Sequence, residues 1–271
     1  MKSPGISNTA PSFRLRIQMK FDVQTYSRAL ATASLLASGK PVLSLNEEDY
    51  AYRLKSNAVL ISCRHLTTSP DCCADISKYG LAGWKAALSF DSRLKRVFDG
   101  LRIGCTSNGQ LERNGQSFES CCFQNPSRAL ELDNCISAYL YCGDPYEGYC
   151  RSPEILRALK DKAFPYDQTI SEAEEKWRKG SKPYCVSFDV GLSDVDVITR
   201  YYSTEEGGDI EYALSCVLLD VLRAKTSGHS YALQRQIALK HGVIIPPDQL
   251  SINGLADLDW DWSDPGKDDA R

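Results

Sequence analysis

The stretch CCFQNPSR at residues 121–128 has the residue spacing most able to do chemistry. Five residues separate Cys122 from Arg128. At this spacing a loop can place a thiolate beneath a phosphate group and a guanidinium against the phosphate oxygens. The thiolate would act as the nucleophile and the arginine would hold the transferred group. Cys122 and Arg128 are therefore the candidate catalytic residues of this sequence.

The same stretch also fits the start of a helix. Asn125 or Ser127 can cap a helix, and Pro126 suits its first turn. The loop has no glycine, although backbone N–H groups must converge closely on a bound phosphate. The sequence therefore favours a protein that is not an enzyme. A thiol-dependent enzyme of phosphatase-like type is the alternative.

Cysteine is unusually frequent, with 11 residues, nine of them between Cys63 and Cys150. Cys63, His65, Cys72 and Cys73 could converge on a zinc ion where a strand meets the following loop. The chain has no Cys-x2-Cys pair, however, so these four are candidates only, and we predict no metal or other cofactor.

The cysteine count also bears on where the protein acts. The count is odd, the chain of 271 residues can bury a core without disulfides, and it has no acceptable Asn-x-Ser/Thr sequon. These features favour reduced thiols and a cytoplasmic protein. If a signal peptide has been removed, the alternative is an exported, cysteine-rich domain stabilised by disulfides.

The C-terminal segment LADLDWDWSDPGKDDAR combines tryptophan with a strong acidic charge. The segment contains six aspartates and only two basic residues, Lys267 and Arg271. An aromatic side chain flanked by acids suits a basic groove with an apolar pocket on another protein. The candidate partner-binding residues are Leu258, Asp259, Trp260, Asp261 and Trp262.

The first four of these residues, Leu-Asp-Trp-Asp, resemble the tryptophan-acidic cargo motif that kinesin light chains recognise. The resemblance covers four residues and implies a protein partner. Docking of the same tryptophans on the chain's own surface is the alternative.

Overall composition narrows the partner class. The net charge is −3, so the general basic surface that binds nucleic acid is absent. No run of about 18 apolar residues is present, so the sequence does not predict a membrane span. We therefore expect other proteins, not nucleic acid, as partners.

The hydrophobic pattern predicts an α+β fold, a mixed sheet with helices packed on it and a helical C-terminal third. Apolar and polar residues alternate from Phe13 to Gln24, which is typical of a strand. Thr25 and Asn46 are placed to cap two helices, and 58–63 is a buried-looking strand.

Further along the chain the pattern predicts loops, turns and helices. Residues 66–80 are expected to form a loop, and Asn114-Gly115 a hairpin turn. The predicted helices are 81–98 with a break near Asp91, 127–142, 153–163, 170–179, one after Gly207-Gly208, and 230–241.

Domain organisation follows from these elements. We expect a loose N-terminal tail over 1–11, a single α+β domain over 12–254 with a sub-boundary near 143–153, and an acidic tail over 255–271.

Overall fold

An eight-stranded mixed sheet is the centre of the protein. The computed structural model describes residues 18–106, 111–118, 135–145, 152–164, 166–199, 201–229 and 233–258. The strands are β1 Gln18–Phe21, β2 Ala58–Ser69, β3 Leu81–Ala82, β4 Ile103–Cys105, β5 Leu111–Arg113, β6 Gln116–Phe118, β7 Ser137–Cys142, β8 Lys182–Gly191, β9 Val195–Ile198, β10 Tyr202–Ser203, β11 Gln234–Leu239, β12 Ile244–Ile245 and β13 Ser251–Gly254.

The main sheet is built around β2. Its order is β10-β9-β11-β7-β2-β8-β13, with β1 also paired to β2. The first half of β2 pairs in parallel with β1, and Arg64 further along pairs with Tyr139 of β7. The other edge pairs antiparallel with β8 over ten residues, from Leu60 to Ser69. Two smaller sheets, β12-β3 and β4-β5-β6, lie outside it.

Helices cover the sheet and form part of a second core. They are α1 Tyr26–Ala37, α2 Glu47–Lys55, α3 Ala74–Tyr79, α4 Trp84–Ser89, α5 Arg93–Gly100, α6 Glu154–Ala158, α7 Gln168–Gly180 and α8 Ile210–Thr226. A π turn, Leu159–Ala163, continues α6. None of the helices in the described ranges combines the length and the apolar character needed to cross a bilayer.

Side-chain caps fix where the first two helices begin. Thr25 accepts a hydrogen bond from the backbone of Arg28 at the start of α1. Asn46 and Asp49 form a reciprocal capping box at the start of α2. Each cap satisfies backbone N–H groups that the first helical turn leaves without a partner.

The main hydrophobic core lies between the sheet and the layer formed by α1, α2 and α8. Strand side chains such as Phe21 and Ile61 are completely buried there, as are Leu214 and Leu218 of α8. Eight residues of α8 are buried, which makes it the central helix of that layer. Burial of this kind is the main favourable term in folding.

A second hydrophobic cluster is formed by α4 to α7 and the small sheet β4-β5-β6. Its buried members are Trp84, Phe98, Leu101, Ile103, Leu111, Ile155, Leu156, Leu159, Ile170 and Trp177. Arg113 of β5 joins the hairpin to α7, because its guanidinium donates to the Leu101 carbonyl and pairs with Asp167. Asp167 in turn caps α7.

The α+β fold predicted from the sequence is confirmed, and most helix starts agree with their capping residues. The Asn114-Gly115 hairpin turn, the break near Asp91 and the helix after Gly207-Gly208 are also present. The division into a tail, one domain over 12–254 and an acidic segment stays a prediction.

Three local predictions are wrong. Residues 66–80 do not form the single loop that the sequence predicts: 66–69 continue β2, because β8 pairs with them to the end, and Ala74–Tyr79 forms α3. Strand β7 occupies the second half of the predicted helix 127–142, and β11 replaces the predicted helix 230–241. The C-terminal third therefore contains a single long helix, α8, among its described residues, together with several strands.

The alternating pattern of β1 yields a direct test. Phe21 is fully buried and Gln18 is exposed on the same short strand. We expect Phe21→Ala to lower the free energy of unfolding by about 3–5 kcal/mol, because it removes a large side chain from a packed core. Gln18→Ala should change it by less than about 0.5 kcal/mol. Denaturant unfolding measures both, and equal effects would contradict the assignment.

Asp167 makes part of the free energy of unfolding depend on pH. Its hydrogen bond from Thr169 and its pairing with Arg113 lower the pKa of Asp167 to about 2. An unfolded aspartate titrates near about 3.9, so this stabilisation is present above that pH and is lost as pH falls toward 2. We expect Asp167→Asn to flatten the decline in unfolding free energy over this range.

The control for this experiment is Asp99→Asn, which alters an exposed aspartate paired with Lys95 within one helix. Exposed pairs of this kind contribute little. Urea titrations repeated at a series of pH values would show the difference. A wild-type slope retained in Asp167→Asn would contradict the role given to Asp167.

Candidate functional site

The structure places only some of the predicted site residues. Cys122 and Arg128, the candidate catalytic pair, lie outside the described residues, so the phosphatase-like arrangement stays a prediction. Asp259, Trp260, Asp261 and Trp262 also lie outside them. Leu258, the first residue of the predicted binding segment, is described and half-buried.

One end of the main sheet gathers residues from three separate parts of the chain. Strand β2 ends at Ser69 opposite the start of β8, and β13 ends at Gly254 on the far side of β8. Tyr184 of β8 lies between Thr67 and Gly254. We call Ser69–Cys73, Tyr184 and Gly254–Leu258 the sheet-end site.

The turn after β2 has a tight and unusual backbone. Cys72 and Cys73 both adopt positive φ, 55° and 59°. The left-handed region costs a residue with a side chain roughly 1–2 kcal/mol. Ser69 compensates: its hydroxyl accepts hydrogen bonds from the backbone N–H of Cys73 (2.8 Å) and of Asp71 (3.3 Å), and donates to the Asp71 carboxylate (2.6 Å).

This backbone sends the two neighbouring thiols into opposite environments. Cys72 is exposed, whereas Cys73 is only 2% exposed. Burial raises the pKa of the Cys73 thiol to about 11. Interaction with the Cys72 side chain is the largest cause that raises the pKa of Tyr184 to about 12.

The turn is also fixed to the second hydrophobic cluster. The Trp177 indole N–H of α7 donates to the Thr68 hydroxyl (3.1 Å), and the Arg93 guanidinium lies 5.6 Å from the centre of the indole ring. Arg93 reaches the Asp71 carboxylate at 4.0 Å, while its backbone N–H donates to Asp75 of α3. The sheet-end site thus lies where the two cores meet.

The four candidate metal ligands are not brought together. Cys63 is fully buried in the main core, and burial strongly raises the pKa of its thiol. The Nδ1 atom of His65 lies 2.7 Å from the Ser137 carbonyl. The strand carries Cys63 roughly 20 Å from Ser69, at about 3.3 Å per residue. In the described ranges no three His, Cys, Asp or Glu side chains are grouped so that they could hold a metal.

The segment that leads to the tryptophans starts from a fixed position. After β13 a short 3-10 turn, Leu255–Asp257, buries Leu255 to 1% exposure. A Cβ added at Gly254 would lie 2.4 Å from the Asp257 carboxylate, so a larger residue there would have to displace it. The root of the acidic segment is therefore packed against the sheet beside Tyr184.

Comparison of this chain with protein-family models, with curated proteins and with solved structures gave no match.

Sequence reasoning found only half of this site. The adjacent Cys72 and Cys73 and the Leu258 segment were both visible as candidates. The contribution of Tyr184 was missed, because it depends on the pairing of β8 with β2 and β13. No local signal marks one tyrosine in a strand as the partner of a cysteine 112 positions earlier in the chain.

The role given to Ser69 can be tested by substitution. Ser69→Ala leaves the backbone N–H groups of Asp71 and Cys73 without their acceptor, so we expect a loss of about 1–3 kcal/mol in the free energy of unfolding. Ser193→Ala, at an exposed serine, should change it by less than about 0.5 kcal/mol. A neutral Ser69→Ala variant in urea unfolding would show that the turn does not depend on this hydroxyl.

Proposed function

We propose that this protein acts in the cytoplasm by binding other proteins, through the acidic tryptophan segment Leu258–Trp262. The observation that carries the proposal is the packed root of this segment. Leu255 is buried and β13 is paired along its length with β8, so the segment begins at a fixed point on the sheet. A fixed origin reduces the orientational freedom that a partner must remove on binding.

The chemistry of the segment indicates the kind of surface it would bind. Tryptophan is the residue type most often found at the energetic centre of interfaces, where it fills an apolar pocket. The flanking aspartates would be attracted to a basic rim and would speed association at low salt. A partner is therefore expected to present a positively charged groove with a pocket for Trp260.

Free thiols support the proposed compartment. Cys63, Cys72, Cys73, Cys105, Cys185 and Cys216 are free. Reduced cysteines persist in the cytosol, whereas exported domains usually pair theirs. Mass spectrometry of protein isolated from cells under non-reducing conditions tests this part, and extensive disulfide pairing of these six residues would favour the exported alternative.

The binding role is tested by affinity capture with the full chain. Wild-type protein is expected to retain a defined set of proteins that Trp260→Ala loses. Removing the indole from an interface centre typically costs at least about 2 kcal/mol, roughly thirty-fold in affinity. Binding of a purified kinesin light chain, measured by calorimetry, asks whether the resemblance of Leu258–Asp261 identifies the partner.

A matched control separates specific binding from charge. Asp268→Asn combined with Asp269→Asn removes two charges outside the motif, and it should make binding only moderately weaker and less sensitive to salt. Deleting residues 259–271 should leave the melting temperature unchanged. A fall of several degrees without loss of partners would assign the tryptophans to the fold and contradict the proposal.

The thiol-enzyme alternative rests on Cys122 and Arg128 alone. Nothing in the described part of the chain favours it over protein binding. It stays a prediction, to be examined by the rate at which Cys122 reacts with iodoacetamide in the presence and absence of Arg128.

A further inference from the structure

A pocket of about 530 Å³ lies between α2 and the segment that leaves α1. Its lining consists of Lys40, Asn46, Glu48, Asp49, Tyr52 and Arg53. Two hydrogen bonds fix its walls. The Arg53 guanidinium donates to the Leu36 carbonyl near the end of α1. The Tyr50 hydroxyl donates to the Val42 carbonyl (2.8 Å), which holds the joining segment against α2. We call this feature the α1–α2 pocket.

Large apolar side chains at this pocket are left in water. Tyr52, in its lining, is 75% exposed, and Leu43, in the segment between Lys40 and Asn46, is 65% exposed. Leu35 in the last turn of α1 is exposed to a similar degree. Single exposed apolar residues are ordinary on a protein surface, but several in one place are typical of a contact with another protein.

The charges of the pocket are balanced. Lys40 and Arg53 supply two positive charges, and Glu48 and Asp49 supply two negative ones. A strongly basic or strongly acidic partner therefore gains little here from long-range attraction. A surface that carries both signs can instead match a second copy of itself. In a twofold contact, any residue that touches a second residue across the axis is touched by that same residue in return.

Lys40 and Glu48 have the charges that remain available for such a contact. Glu47, the neighbour of Glu48, is paired with Arg223 of α8 at 2.9 Å. Lys40 and Glu48 are exposed and form no ion pair with any residue in the ranges that the structure describes. Opposite charges left unpaired in one pocket are the arrangement that a twofold axis can satisfy twice.

We propose that the α1–α2 pocket is the contact surface of a symmetric dimer of this chain. Lys40 of each copy pairs with Glu48 of the other, and the exposed Leu43 and Tyr52 of both copies pack together around the axis. Stable interfaces bury roughly 800 Å² on each partner. Only a few apolar side chains contribute here, so the dimer is a weak one, with a dissociation constant on the order of 100 μM.

The experiment measures self-association of the full-length protein by analytical ultracentrifugation over a series of concentrations. Lys40→Glu makes the pocket negative and Glu48→Lys makes it positive. Each should raise the dimer dissociation constant about ten-fold or more, because the reversal occurs twice in the symmetric contact and brings like charges together. An equal mixture of the two variants should associate again, because the negative pocket then meets the positive one.

Matched controls separate this contact from general effects of charge and hydrophobicity. Tyr52→Ala removes an exposed ring from the pocket and should weaken the dimer, whereas Tyr166→Ala removes a ring that is 97% exposed elsewhere and should not. Glu205→Lys reverses an exposed charge outside the pocket and should leave association unchanged. Melting temperatures close to that of the wild type establish that the variants are folded.

Several outcomes would overturn the proposal. They are a wild-type protein that stays monomeric up to about 1 mM, a dimer that both charge reversals leave intact, or variants that do not associate when mixed. Deleting residues 259–271 should leave the dimer unchanged, and a dimer lost with that segment would assign association to the acidic tail. The proposed function depends on Leu258–Trp262 and not on this pocket, so failure here leaves it untouched.

Discussion

The antiparallel pairing of β2 with β8 is the interaction on which the rest of the fold depends. Ten consecutive residues of each strand face one another, from Leu60 with Gly191 to Ser69 with Lys182. Strands β1 and β7 attach to the other edge of β2, and β13 attaches to the other edge of β8. The pair also joins the two cores, because Phe188 packs in the main core and Thr68 binds Trp177 of the second.

This pairing brings together residues more than a hundred positions apart. Closing so long a loop costs conformational entropy, which opposes folding until the ladder has formed. Residues of both strands are buried in the main core, and Trp177 contacts β2 near its end. A long-range ladder of this type forms slowly relative to helices. The sheet-end site therefore exists only in the completed fold, since residues 69–73, Tyr184 and Gly254 share no local segment.

The sequence predicted the elements whose signals are local. Capping by Thr25 and Asn46, alternation through Met19 and Phe21, and the apolar spacing of α8 each depend on a few neighbouring residues, and each agrees with the structure. The short apolar runs of β7 and β11 fit either period, and the sequence predicts helices there. Their pairing with each other and with β2 and β9 decides the conformation, so tertiary context outweighs propensity.

The same distinction applies to the candidate site. A run such as Cys72-Cys73 or Leu258-Asp259-Trp260 shows which side chains could react or bind, but not what stands beside them. What the fold adds is the environment: it exposes one thiol, buries the next, pairs Tyr184 with both Thr67 and Gly254, and packs the root of the tryptophan segment one strand away. Reactivity and recognition depend on these surroundings as much as on residue type. The Cys72-Cys73 turn and the root of the tryptophan segment look unrelated in the sequence. They are neighbours at one end of the sheet, because β8 runs between β2 and β13.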